Sequence, residues 1–398
     1  MKNKENLKIL IGSALIMGGG VGLLSSSVGI FVLPVTKALS LSRSAFLFVN
    51  SITIFMSLVF LPLAPAAFKK ARPCKIVFLS GFVCALVSLC YSFSQSIYIF
   101  YILAAISGIF IGGISSPLIA PLLKNAYREK SEVYLAMAFT GSSLTSIIVV
   151  PLIRLINQSF GFKWGYRFIF LVGGSMCFLG GYLIRECKIP EKLNEFSFKE
   201  GFSIIKADKK ILPKLLALFL GNLINLAIFN NLASFLGDLG FGERWGAYAT
   251  SAIFAVMIFA KPLSGYVFNK KGAKAGCEFL SLWLFSASVS ALLLNYSKIF
   301  LLPAILSLGF CGAFNSIPAL SLAGEEKNPA AFTLFMLPGY LGSACGSLFA
   351  AFIFDNSKSY TPAWLIFSAL SLVDCLIFAL AAKQAPRSPS KGKKRPAR

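Results

Sequence analysis

Apolar residues fall in long blocks along this chain, separated by short polar and basic segments. The blocks show no polar–apolar alternation and are too long for buried strands. Most reach the roughly 20 residues that a helix needs to cross about 30 Å of hydrocarbon. Blocks at 9–33, 44–68, 76–93, 97–123, 133–157 and 166–184 form a first set. After a polar stretch, a second set occupies 211–236, 245–268, 276–295, 299–323, 331–354 and 362–382. The pattern predicts an all-α membrane protein with twelve transmembrane helices in two six-helix halves. Its parts are an amino-terminal half (1–185), a cytosolic linker (186–210), a carboxy-terminal half (211–382) and a basic cytosolic tail (383–398). The first block is longer than the core of a signal peptide, so it reads as an uncleaved span.

The halves read as copies. The fourth block carries Gly108-x3-Gly112-x2-Ser115-x-Pro117, and the tenth carries Gly309-x3-Ala313-x2-Ser316-x-Pro318. Small residues one turn apart let helix backbones approach, and a proline interrupts the hydrogen-bond ladder. Recurrence of both at the same offsets points to duplication and pseudo-symmetry.

Composition sharpens the class. The chain is 57% hydrophobic and only 13% charged, against about a quarter charged in soluble domains. Its net charge of +23 is no nucleic-acid footprint, because most of the Lys and Arg lie in alternate loops and at both ends. Lys37, Arg43, Arg154, Lys163, Arg167, Arg244, Lys298 and Lys358 fall on the other side. That bias predicts both termini in the cytosol, in a plasma membrane (the inner membrane in a bacterium), with the tail near anionic lipid. No nucleic-acid partner is expected, and the chain reads as a monomer in the bilayer. Nine cysteines form no C-x-x-C pair and there is no histidine. Metal sites, cofactors and histidine-based catalysis are therefore not expected, nor is an enzyme.

One charge stands out. Lys261 interrupts the apolar block at 245–268. At about 1.5 Å per residue it lies roughly 12 Å from Asn269, where a basic loop is expected, and so near the midplane. A charge there costs about 3 kcal/mol or more unless it faces water or a partner, which marks Lys261 as a candidate functional residue. A second reading pairs it with Asp374, which lies at matching depth in the last block.

Gly265-x3-Asn269-Lys270-x-Gly272-x-Lys274 resembles the G-x-x-x-D-R-x-G-[RK]-[RK] loop of the major facilitator superfamily, with Asn at the acid position. Lys261-Pro262-x-x-Gly265 resembles the [RK]-P-x-x-G end of span eight in its monocarboxylate and oxalate transporters. Trp164-Gly165-Tyr166-Arg167-Phe168 is similar to the opening of span six. The first-half loop departs from the pattern: Ala64-x3-Phe68-Lys69-x-Ala71 lacks the glycine and the acid, and Ala104 stands where many members carry Arg. The resemblance implies alternating access about a midplane site, with Gly265, Asn269, Lys270, Gly272 and Lys274 as gating residues. It also implies a cation in span eight that meets a carboxylate.

Polar residues at the depth of Lys261, on spans that line the cavity in that family, complete a substrate-binding set: Asn222, Asn225, Asn315, Tyr340, Ser115 and Ser116. Helix-contact hydrogen bonding is the plainer reading for the serines and Asn315. Few acids lie deep in the spans, so proton coupling has little material to work with. The function expected is secondary active or facilitative transport of a small organic anion, monocarboxylate-like. A multidrug efflux transporter and a non-transporting membrane receptor of the same fold are the alternatives.

Overall fold

The computed structural model describes residues 2–25, 27–127, 131–187, 203–206, 208–209, 211–314, 317–325 and 331–383. Among them the chain is helical, with no strand. The first span is α1 (Lys2–Met17), a wide π-helical segment (Gly18–Ser25) and α2 (Val28–Leu39). There follow α3 (Arg43–Lys70), α4 (Pro73–Tyr91), α5 (Ile97–Ile111), α6 (Ser116–Tyr127), α7 (Ser131–Phe160) and α8 (Phe162–Leu183). The second part holds α9 (Ile211–Asp238), α10 (Glu243–Leu293), α11 (Leu301–Cys311), α12 (Ile317–Glu325), α13 (Ala331–Ser357) and α14 (Thr361–Lys383). Ten helical segments among the described residues are long and apolar enough to cross a membrane. One of these holds α10, whose 51 residues span two expected blocks. The expected block 299–323 is divided between the shorter α11 and α12.

Local chemistry sets these ends. Ser42 caps α3 by accepting from the Ala45 amide at 3.2 Å, Ser96 caps α5 from Tyr98, and Pro73 opens α4 where no amide donor is needed. Many large apolar side chains point outward, Phe82 and Leu79 on α4 among them. In water such a surface would aggregate; in a bilayer it is the solvated face.

The expected basic loop from Asn269 is not a loop. Helix continues to Lys271 and restarts at Ala273, and the whole turn is made at Gly272 (φ 86°, ψ 168°). That backbone region is open essentially to glycine alone, so one residue replaces a loop of several. The fourth span is broken as its proline suggested. A single 3-10 turn at Gly112–Ile114 leads to Ser115 in extended geometry, and α6 begins at Ser116 with Pro117 in its first turn. In the second copy α12 starts at Ile317 with Pro318 next; Asn315 and Ser316 lie outside the described residues. The repeat glycines act alike in both copies. A Cβ on Gly108 would sit 2.5 Å from the Thr53 carbonyl oxygen of α3, and one on Gly309 2.3 Å from Val256 of α10. Each presses its span against the helix two blocks earlier.

The apolar interior forms three clusters. One gathers residues from Ile204 onward together with Val150; two gather earlier residues, one of them with Ala351. Across this division α3 packs on α13, α7 on α10 and α2 on α9. At the end where α2 hands over to α3, the parts are tied by charge. Arg43 forms a bidentate pair with Asp238 (2.6 and 2.8 Å), its guanidinium also donates to the Tyr360 hydroxyl at 3.3 Å, and it lies 4.0 Å over the Phe354 ring. The Asp355 carboxylate accepts from the Arg43 and Ser44 amides at the start of α3, at 3.4 and 2.9 Å.

Candidate functional site

The broken helices surround a central cavity of about 180 Å³. Its walls bring together Lys261 from α10, Asn222 from α9, Tyr340 from α13, and Ser115 and Ser116 from the break between α5 and α6. The π-helical segment contributes Val21 and Ser25. Ser115 and Ser116 face the cavity where span four is interrupted between Gly112 and Ser115, and Val21 and Ser25 where span one is π-helical.

Lys261 is 9% exposed. Its Nζ donates to the Phe139 carbonyl (3.3 Å), Ser142 Oγ (3.2 Å) and Ser143 Oγ (3.1 Å), all on α7. The ammonium therefore bridges the two parts of the molecule, and its three acceptors are uncharged. No Asp or Glu lines the cavity among the described residues. Hydrogen bonds to neutral oxygens offset part of the desolvation cost of the ion but leave its charge uncompensated. The alternative pairing with Asp374 is not formed. Asp374 is fully buried and accepts from Ser281 Oγ at 2.6 Å, while its Oδ1 has no hydrogen-bond partner.

Asn222 donates one amide hydrogen to the Leu218 carbonyl at 2.9 Å, which leaves its second N–H and its oxygen as groups to offer. Asn225 is buried but not on the cavity wall, and its Oδ1 has no partner. One helical turn sufficed to point it elsewhere. Asn315 lies outside the described residues. Of the expected gating residues, Gly265 lines a smaller cleft with Phe139, Ile317 and Leu320, 3.6 Å (as a Cβ) from Ala136 of α7. Asn269, Lys270, Gly272 and Lys274 are exposed at the turn, where Lys270 Nζ meets the Tyr266 hydroxyl at 3.0 Å.

One wall of the cavity was not among the residues expected from the sequence. Asn50, Thr53 and Ser57 of α3 line the cavity, as do Asn230 and Ser343. The signal was present: Asn50-x2-Thr53-x3-Ser57 is a polar stripe at helical spacing inside an apolar block.

The family model described as Major Facilitator Superfamily matches residues 13–326. The chain belongs to this superfamily. The chain is similar to monocarboxylate transporter 4 of Gallus gallus, 22% identical over 285 residues, or 65% of this chain and 58% of that protein. The chain thus spans less than two thirds of that relative's length. Among solved structures, the nucleoside transporter NupG superposes with a TM-score of 0.73 at 13% identity over 96% of this chain and 100% of that one. A bacterial homolog of the human lysosomal transporter Spinster, inward-facing and unoccupied, gives 0.68 at 11% identity over 96% and 97%. The major facilitator fold is that of a multi-pass membrane transporter.

Proposed function

We propose that this chain transports a small organic anion by alternating access, with Lys261 meeting the carboxylate. The observation that carries this reading is a buried ammonium on the wall of the central cavity, bonded only to neutral oxygens, with no acid among the described lining residues. An anion supplies the missing charge. Asn222, Tyr340, Ser115 and Ser116 hydrogen-bond the solute in this reading, and the halves 1–185 and 211–382 rock about it, with Gly265 and the turn Asn269–Lys274 flexing at the gate. The lysine and arginine bias supports cytosolic termini in a plasma membrane. The likeness to a monocarboxylate transporter supports the substrate class.

The cavity volume favours this over a drug efflux pump. Drug-sized sites run about 300–1,000 Å³, and this one holds about 180 Å³. The test is uptake of labelled small carboxylates into proteoliposomes. Lys261→Ala is expected to abolish it and Lys261→Arg to keep part of it. Full uptake by Lys261→Ala would remove the lysine from the mechanism, and competition by lipophilic cations rather than carboxylates would favour efflux.

A further inference from the structure

The cavity has a second polar wall, opposite in character to the first. α10 packs on α7, and that pair supplies Lys261 and its ligands; α3 packs instead on α5 and α13. On α3, Asn50, Thr53 and Ser57 share one face at spacings of three and four and all line the cavity. Thr53 spends its hydroxyl proton on the Val49 carbonyl (3.0 Å) and Ser57 on the Ile54 carbonyl (2.6 Å). Both therefore present oxygen lone pairs to the cavity. Asn50 does the reverse. It is 5% exposed, and its Nδ2 has no hydrogen-bond partner. An amide N–H₂ buried without an acceptor has lost its bonds to water and gained none in return, a cost removed when a solute brings the acceptor.

We infer that Asn50 is a specificity residue that binds a neutral oxygen of the substrate remote from its carboxylate. The substrate class is then a short acid carrying a hydroxyl or carbonyl at its far end. A hydroxyl fits this wall best: it accepts from Asn50 and donates to Thr53 or Ser57. An ammonium at that end finds no carboxylate, and a methyl leaves Asn50 unpaired. Discrimination by an unpaired buried donor is stronger than discrimination by shape alone.

This rests on the anion reading, and the experiment separates the two. Thermal stabilisation of the purified chain in nanodiscs is titrated with butyrate and with 4-hydroxybutyrate, in wild type and Asn50→Leu. The expected result is wild-type binding of the hydroxy acid at least tenfold tighter, with Asn50→Leu cutting the ratio below about twofold. Equal wild-type binding of both acids overturns the inference and leaves the anion reading standing. Equal weakening of both acids by Asn50→Leu also overturns it, since that marks a structural role. Binding of neither acid overturns both readings. If Asn50→Leu does not fold, the wild-type ratio and its loss in Ser57→Ala decide.

Discussion

Arg43 offers the most direct test of how the two parts of the molecule hold together. Replacing it by Ala removes the bidentate pair with Asp238, the bond to the Tyr360 hydroxyl and the stacking over Phe354. The pair is part-exposed, 14% for the arginine side chain and 34% for the aspartate, so it ranks at the upper end of surface pairs, about 1 kcal/mol. The cation–π contact at 4.0 Å adds about 0.5–1 kcal/mol. The long bond to Tyr360 contributes about 0.5–1 kcal/mol. Asp238 regains water once unpaired, so no buried-charge penalty follows. The closure should weaken by about 2–3 kcal/mol, which is about 30- to 150-fold in the ratio of closed to open. Hydrogen exchange reads this as faster exchange of the amides near the start of α3 and the end of α9. A cycle with Asp238→Ala isolates the pair. Unchanged exchange in Arg43→Ala, or a coupling near zero in the cycle, would refute the argument.

Three other predictions draw on the same structure. Asp355→Asn keeps a carbonyl for the Ser44 amide but removes the charge at the helix start; exchange at 43–46 should rise only about two- to fivefold, since charge at a helix end is worth about 0.3–1 kcal/mol, and a larger effect would contradict this. Gly108→Val places a Cβ 2.5 Å from the Thr53 carbonyl, so the purified variant should melt lower by the equivalent of about 1–3 kcal/mol; an unchanged melting temperature speaks against the close approach. Gly272→Ala meets no neighbour within 4 Å, so its effect is purely conformational and the purified variant should melt lower by the equivalent of about 1–3 kcal/mol; Gly272→Asn should melt no higher than Gly272→Ala, because ψ of 168° lies outside the left-handed region that Asn tolerates, and a wild-type melting temperature in either variant would contradict this.

The amino-acid order alone determined the membrane class, the all-helical make-up and the buried cation, because burial in lipid demands long apolar helices and makes one interrupting lysine conspicuous. It also marked the break at Pro117, since a missing amide donor is a property of the residue itself. Tertiary structure decided which polar groups meet. Asn222 and Asn225 are one turn apart, yet only the first lines the cavity, a matter of helix rotation that depth along a span does not encode. The tie of Lys261 to Ser142 and Ser143, the isolation of Asp374 beside Ser281 and the closure by Arg43 and Asp238 join residues about 90 to 200 positions apart. Such pairings follow from how whole helices pack, because in lipid a polar side chain takes whichever partner the packing brings within reach.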